Sequence, residues 1–154
     1  MAMEIERKYR VHDTAMLSGM EGESLTQGYL NESGMTTRVR LAGGKRAWLT
    51  LKGRAKGISR AEFEYEIPFA DGVALLAHCG NRVVAKTRYH ISVGDHVWDV
   101  DVYEGPLSGL VTAEVELACE DEPFERPSWL GEDISLDGRY TNEALARAGR
   151  LPAA

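Results

Sequence analysis

The pattern that sets the architecture is clearest in residues 36–52, which read TTRVRLAGGKRAWLTLK. On either side of Gly43-Gly44-Lys45 the chain alternates between polar and apolar residues with a period of two. Such alternation is typical of β-strands, in which successive side chains point to opposite faces. A short glycine-rich link between two alternating runs is typical of a hairpin turn. Residues 36–52 are therefore predicted to form a β-hairpin.

The same alternation continues in both directions from this hairpin. It predicts strands at residues 3–11, 25–32, 36–42, 46–53, 60–68, 83–93, 96–104 and 111–119. Helical patterns occur only between strands and near the C-terminus, at residues 73–79 with Asp71 as the predicted N-cap, and at residues 142–148 with Thr141 as the predicted N-cap. Closely spaced strands with few helices indicate a mostly β (α+β) fold, an antiparallel sheet or barrel with peripheral helices.

The composition is that of an ordinary globular protein. The chain has 154 residues, of which 44% are hydrophobic and 27% are charged, so we expect one domain over residues 1–154. The net charge of −6 argues against a nucleic-acid partner, which needs a basic surface, but it does not exclude a basic pocket.

Compartment and membrane association are also predicted from the sequence. The N-terminus is charged at once, and no apolar run approaches the ~20 residues that cross a bilayer. Cys79 and Cys119 lack metal-ligand spacing, and we interpret them as two reduced thiols, with one disulfide as the alternative. These features predict a soluble cytoplasmic protein with no membrane partner.

Charged residues share one face of nearly every predicted strand, and acidic and basic residues are segregated by strand. The co-facial sets are Glu4, Glu6 and Lys8; Arg38 and Arg40; Lys52; Glu62, Glu64 and Glu66; Lys86 and Arg88; Asp99 and Asp101; and Glu114 and Glu116. A solvated sheet face explains one such pair, but solvated faces usually contain uncharged polar residues too. Like charges two residues apart repel each other in solvent. Faces that turn inward would instead line a hydrophilic interior in a closed barrel.

Such an interior would suit a polyanion together with divalent cations. Arginine and lysine side chains bind phosphate oxygens, and clustered carboxylates are hard ligands for Mg²⁺ or Mn²⁺. The structural alternative is an ordinary β-sandwich with a polar outer face. The non-enzymatic alternative is a module that only binds polyphosphate.

These motifs resemble those of the CYTH superfamily, the triphosphate tunnel metalloenzymes. Glu4-Ile5-Glu6-Arg7-Lys8 fits the E-x-E-x-K signature of the family. Further segments follow in the family's order through most of the chain, at residues 37–40, 51–53, 62–64, 86–88, 99–101, 114–116, 129–131 and 137–142. The resemblance implies an eight-stranded antiparallel closed barrel that forms a hydrophilic tunnel. It is strongest to the short bacterial inorganic tripolyphosphatases, which release pyrophosphate and phosphate from tripolyphosphate with a divalent metal, Mg²⁺ or Mn²⁺.

The resemblance, combined with the chemistry of phosphoanhydride hydrolysis, predicts a role for each charged group. The predicted phosphate-binding residues are Lys8, Arg38, Arg40, Lys52, Lys86 and Arg88. The predicted metal ligands are first Glu4, Glu6 and Glu116, then Glu62, Glu64 and Glu114, and finally Asp99 and Asp101, which either ligate metal or orient basic neighbours. The resemblance alone implies a catalytic pair of Lys8 and Tyr29, because by itself Tyr29 would be interpreted as a buried aromatic residue. Whether the metal or this pair activates the attacking water stays open.

Other activities of the family remain alternatives at this point. They are a nucleoside or thiamine triphosphatase and a class IV adenylate cyclase, which would need a base pocket that the sequence does not reveal. By analogy, a homodimer through an outer apolar strand face is also compatible with the sequence.

Overall fold

The computed structural model describes residues 2–31 and 33–153. In this part of the chain, eight antiparallel strands close into a barrel with the order β1-β5-β4-β3-β2-β6-β7-β8, and β8 pairs with β1. The strands are β1 (Met3–Arg10), β2 (Glu23–Tyr29), β3 (Thr36–Ala42), β4 (Arg46–Lys52), β5 (Ser59–Ile67), β6 (Val83–Val93), β7 (His96–Tyr103) and β8 (Val111–Glu116). The predicted mostly β architecture is confirmed, and each predicted strand overlaps an observed one.

Helices occupy the connections, as expected. They are α1 (Phe69–Ala77), α2 (Asn142–Ala148) and the 3₁₀ turns Ala15–Leu17, Gly105–Leu107 and Gly138–Tyr140. Thr141 caps α2 as predicted, since its hydroxyl accepts a hydrogen bond from the Ala144 backbone N–H at 3.1 Å. The prediction that Asp71 caps the first helix was wrong. The helix begins earlier, directly after Pro68, whose carbonyl accepts hydrogen bonds from the backbone N–H groups of Asp71 and Gly72.

The register of the strands decides which charged residues become neighbours. Glu6 lies opposite Glu116 and Lys8 opposite Glu114 across β1 and β8. Across β4 and β5, Lys52 lies opposite Glu62. Because side chains at paired positions of antiparallel strands lie close together, the register brings acidic residues from three strands to one side of the barrel.

Two apolar clusters hold the barrel and its C-terminal region together. One packs Trp98 and neighbouring residues of β1, β7 and β8 against the segment that follows β8, where the Trp98 ring lies 5.7 Å from the Phe124 ring and 5.8 Å from the Trp129 ring. The other packs Leu145 of α2 against Tyr29 and Tyr103. This second cluster fixes α2 against the barrel. Within the residues described, no helix is long and apolar enough to span a bilayer.

Candidate active site

The charged faces of the strands turn into the barrel, as the sequence predicted, except that Glu66 at the end of β5 is exposed. These faces line a cavity of about 200 Å³, which we call the charged cavity. Its wall consists of Glu4, Glu6, Arg38, Arg40, Lys52, Glu62, Glu64, Arg88, Asp99, Glu114, Glu116 and Asn142. A second cavity of about 120 Å³, the end cavity, extends to the loop between β4 and β5, and Lys8 and Tyr29 line it. The two cavities share Glu4, Glu6, Arg38, Lys52 and Asn142. Glu66 lines neither cavity.

The acidic side of the charged cavity contains more negative charge than its lysines balance. The Lys52 ammonium lies between two carboxylates, 3.1 Å from Glu4 and 3.3 Å from Glu62. Burial, with the nearby carboxylates of Glu114 and Glu4, raises the pKa of Glu6 well above its usual range. Burial and the neighbouring Glu4 raise the pKa of Glu62 to about 7. A cation that entered this side of the cavity would relieve this crowding.

Two further acidic residues show how the charge is distributed. Burial alone would raise the pKa of Glu114, but Lys8, 3.7 Å away, and Arg88 outweigh it and lower the pKa to about 2. Burial and three nearby carboxylates raise the pKa of Glu116. The carboxyl groups whose ionisation is disfavoured are therefore those of Glu6, Glu62 and Glu116.

The donor chemistry of this acidic side fits Mg²⁺ or Mn²⁺, which prefer carboxylate oxygens. In the two described ranges, no group of three or more His, Cys, Asp or Glu side chains is arranged so as to hold a metal ion as it stands. Lysine ammonium groups lie among the carboxylates instead. Carboxylates that share one cavity and repel each other are nevertheless the donor set that a divalent cation requires.

The basic side of the charged cavity is formed by Arg38, Arg40 and Arg88. The Arg38 guanidinium donates to Glu64 at 3.2 Å and to the hydroxyl of Thr50 at 3.2 Å. Burial and the neighbouring Arg38 and Arg88 guanidinium groups lower the pKa of Arg40 to about 10. This side therefore combines several cations at close range, which is the environment that a polyphosphate stabilises.

Lys86 and Asp101 are exceptions to the predicted site. Both are fully buried and lie behind the wall, and neither belongs to the lining of the two cavities described above. Their side chains form an ion pair at 2.7 Å, and Asp101 also accepts two hydrogen bonds from Arg88, at 2.7 and 2.9 Å. The Lys86 ammonium donates to Asn142 of α2 at 3.1 Å. This geometry favours the alternative in which Asp101 orients basic neighbours over the one in which it ligates metal.

Lys8 and Tyr29 lie in the same cavity but have separate partners. The Lys8 ammonium donates to the backbone carbonyl of Tyr140 at 2.7 Å and approaches Glu114. The Tyr29 oxygen accepts a hydrogen bond from Gln27 at 3.0 Å. The two predicted catalytic side chains are thus both available to one ligand in the end cavity.

Sequence reasoning missed three polar residues of the site, namely Gln27, Thr50 and Asn142. Gln27 and Thr50 each precede a predicted site residue by two positions on the same strand, so strand periodicity put them on the inward face. Asn142 offered no such signal, because it lies on the C-terminal helix and reaches the cavity only through the packing of α2.

Comparisons with known proteins agree with this geometry. The family model of the CYTH domain matches residues 2–146. A protein named inorganic triphosphatase from Acetivibrio thermocellus is 38% identical over 149 residues, which cover 96% of this chain and 95% of that protein. Another of the same name, from Nitrosomonas europaea, is 37% identical over 147 residues, with 93% and 96% covered.

Solved structures give the same picture. The crystal structure of the inorganic triphosphatase NE1496 superimposes with a TM-score of 0.69 at 34% identity, covering 99% of each chain. A putative adenylyl cyclase from Hippeastrum, described as having a dominant triphosphatase activity, superimposes with a TM-score of 0.65 at 15% identity, covering 97% of each chain. The second likeness is one of fold alone.

Proposed function

This chain belongs to the CYTH family, and from that premise we propose that it is an inorganic triphosphatase that hydrolyses tripolyphosphate to pyrophosphate and phosphate inside its barrel. The enzyme is a hydrolase of phosphoanhydride bonds. The observation that carries the proposal is the charged cavity, in which basic and acidic side chains line one shared space inside the barrel. A basic wall binds a polyphosphate, and an acidic wall binds the cations that accompany it.

The basic wall binds and orients the substrate. Arg38, Arg40 and Arg88 supply planar guanidinium groups that bind phosphate oxygens through paired N–H donors. Lys52 adds a point charge where the charged cavity meets the end cavity, and Lys8 adds another in the end cavity. We propose that Lys86 and Asp101 act from behind this wall, where Asp101 fixes the Arg88 guanidinium and Lys86 balances the Asp101 charge.

The acidic wall would hold Mg²⁺ or Mn²⁺. We propose Glu4, Glu6 and Glu116 as the main ligands, with Glu62, Glu64, Glu114 and Asp99 nearby to complete the shell or to hold a second ion. A bound divalent cation would neutralise charge on the phosphate oxygens and act as a Lewis acid. Lys52, which lies between Glu4 and Glu62, would then be free to turn its ammonium towards the phosphate chain.

Lys8 and Tyr29 are proposed to act at the reacting end of the substrate. The Lys8 ammonium has three N–H donors. One donates to the Tyr140 carbonyl and another faces Glu114, so the third is available for a phosphoryl oxygen. The Tyr29 hydroxyl lines the same cavity and supplies a hydrogen-bond donor for the phosphate or the attacking water. Such donors stabilise the negative charge that the phosphoryl oxygens carry in the transition state.

The test is a turnover panel with purified protein. Tripolyphosphate, ATP and thiamine triphosphate are each supplied with Mg²⁺ or Mn²⁺, and phosphate release is measured with and without a chelator. We expect tripolyphosphate to be the best substrate and the chelator to abolish turnover. Failure to release phosphate with either metal would overturn the proposal. Substrate-dependent thermal stabilisation without product would indicate a binding module, and cyclic AMP production from ATP would indicate a cyclase.

Matched variants compare residues that line the charged cavity with an exposed ion pair that lines neither cavity. Glu6→Gln and Arg40→Ala remove groups that line the charged cavity. Glu66→Gln and Arg46→Ala remove an exposed ion pair on β4 and β5, where the two side chains are 48% and 60% exposed. We expect the first pair of variants to lose at least about 100-fold in kcat/KM, and the second pair to retain the wild-type value.

Three broader expectations accompany this function. We propose that residues 1–154 act as one domain and that the enzyme works in the cytoplasm, which the free thiols of Cys79 and Cys119 support. The homodimer remains a prediction, and light scattering of the purified protein tests it.

A further inference from the structure

Gln27 is an uncharged residue that lies behind the cavity wall, between two charged or polar residues that do line the cavities. It lies on β2, its side chain is fully buried, and its paired position on β3 is Arg40. Tyr29 follows it by two positions and therefore projects from the same face of the strand. The Gln27 amide contacts both neighbours, since its oxygen lies 2.9 Å from Arg40 Nε and its nitrogen lies 3.0 Å from the Tyr29 hydroxyl oxygen.

The chemistry of these neighbours fixes the orientation of the amide. A guanidinium group can only donate hydrogen bonds, so the side of the Gln27 amide that faces Arg40 must be its oxygen. The amide NH₂ group must then face Tyr29 and donate to its oxygen. A reversed amide would direct its N–H groups at the N–H of Arg40, and the fully buried Gln27 side chain would lose that hydrogen bond, which is costly.

This orientation also fixes what the Tyr29 hydroxyl can do. Because Tyr29 accepts from Gln27, its own O–H proton cannot be directed at Gln27. Tyr29 lines the end cavity together with Lys8, so its proton is free to be donated to a ligand in that cavity. Gln27 therefore keeps the Tyr29 hydroxyl as a donor towards the ligand.

The same amide holds Arg40 without neutralising it. Arg38 and Arg88 each donate to a carboxylate, Glu64 and Asp101 respectively. Across residues 2–31 and 33–153, Arg40 has no ion pair, and its guanidinium is held by the neutral oxygen of Gln27. Arg40 thus keeps its full positive charge for an incoming anion, although burial and two neighbouring guanidinium groups disfavour the charged form.

We propose that Gln27 is a positioning residue of the triphosphatase, which fixes the donor direction of the Tyr29 hydroxyl and holds the Arg40 guanidinium unneutralised for the phosphate chain. The inference rests on the function proposed above. Gln27 acts through Tyr29 and Arg40 and needs no contact of its own with the substrate.

Two substitutions separate these effects. Gln27→Met has a similar length and removes both hydrogen bonds, so kcat should fall by about 10- to 100-fold and KM should rise. Gln27→Glu still accepts from Arg40 but neutralises it and cannot donate to Tyr29, so KM should rise further than in Gln27→Met. The matched control is Thr112→Val, which alters another fully buried polar residue of the barrel, one that forms no hydrogen bond with Tyr29 or Arg40 in the described part of the chain.

A double-mutant cycle measures the coupling between Gln27 and Tyr29 in kcat, which would be absent if Gln27 only stabilised the fold. In a Tyr29→Phe background the hydroxyl that Gln27 orients is absent, so Gln27→Met should reduce kcat much less than it does in the wild type. If the losses in kcat simply multiply, Gln27 does not act through Tyr29 and the inference is overturned. Thermal unfolding of each variant checks that the fold is retained, and Gln27→Glu provides the test if Gln27→Met does not fold.

Failure of this inference is distinguishable from failure of the proposed function. If the wild type hydrolyses tripolyphosphate and Gln27→Met has the kcat and KM of Thr112→Val, the inference fails and the function stands. If the wild type shows no turnover, the function fails, and calorimetric binding of tripolyphosphate still tests the role of Gln27 towards Arg40. Gln27→Glu should then bind at least about 10-fold more weakly than Thr112→Val, and equal affinities would overturn the inference.

Discussion

Replacing Asp101 by asparagine would test the buried ion pair behind the basic wall. The substitution preserves the size of the side chain and its ability to accept a hydrogen bond but removes its charge. Asp101 is fully buried and contacts Lys86 at 2.7 Å and Arg88 through two hydrogen bonds. Burial tends to raise the pKa of Asp101, but Lys86 and Arg88 outweigh it and hold that pKa well below its usual range. The ionised carboxylate therefore stabilises the fold.

The size of the effect follows from the burial of both partners. Removing one partner of a buried ion pair costs about 3–5 kcal/mol in the free energy of unfolding, because a buried charge is left uncompensated. For a chain of 154 residues, each kcal/mol corresponds to a change in Tm of about 2–4 °C. Asp101→Asn should therefore lower Tm by about 6–20 °C at pH 7.

Asp99→Asn is the matched control, since Asp99 projects from the same face of β7 and also contacts Arg88, at 3.4 Å. Its side chain is 34% exposed, and exposed ion pairs contribute about 0–1 kcal/mol. Circular dichroism melts of both variants and the wild type, in the absence of metal, make the comparison. The reasoning is refuted if Asp101→Asn lowers Tm no more than Asp99→Asn.

The pH dependence of the free energy of unfolding gives a second check that the ionised form of Asp101 is the stabilising one. A carboxylate whose pKa is lowered by folding stabilises the protein above its unfolded pKa of about 3.9, and this contribution is lost as the pH falls towards the folded pKa. The difference in stability between the wild type and Asp101→Asn should therefore shrink below about pH 4.

The remaining predictions concern the acidic wall and the packing of β2. Burial and Glu4 raise the pKa of Glu62 to about 7, so the favourable contribution of Glu62 to stability is present at low pH and is lost as the pH rises through 7. Glu62→Gln should therefore raise the metal-free Tm at pH 8 much more than at pH 5. Equal shifts at the two pH values would contradict this. Millimolar Mg²⁺ or Mn²⁺ should raise the wild-type Tm at pH 8 and a chelator should reverse the shift, whereas an unchanged Tm would argue against a metal site. A Cβ at Gly28 would lie 2.6 Å from the Cys79 sulfur, so Gly28→Ala should cost about 1–3 kcal/mol in chemical denaturation. Gly138→Ala, where a Cβ meets no atom within 4 Å, should be nearly neutral.

The facing of the charged residues was predictable from local sequence. Period-two alternation assigns each side chain to one face of its strand, and the faces that carry Glu6, Arg40 and Glu116 all line the charged cavity. The helix at Thr141 was equally predictable, because capping depends on residues close in sequence. The misplaced start of α1 has a local cause as well, since the helix begins after Pro68 without a capping side chain, which puts Asp71 inside the first turn.

Depth within the wall was not predictable in the same way. Asp99 and Asp101 share a strand and a face, yet Asp99 lines the charged cavity while Asp101 is sealed behind it. The difference arises because Asp101 lies against the fully buried Lys86 on β6, which in turn contacts Asn142 on α2, whereas Asp99 pairs with the exposed His90. Periodicity along one strand contains no information about what covers it.

The sequence by itself determined where the strands lie and which side chains share a face, because the alternation of a strand is a property of its own residues. The tertiary structure decided the closure of the barrel, the pairing of Gln27 with Arg40 and Tyr29, and the burial of Lys86 with Asp101. Those features depend on the register between strands and on the packing of α2, and both arise only when segments distant in the chain come together and exclude water from the same space.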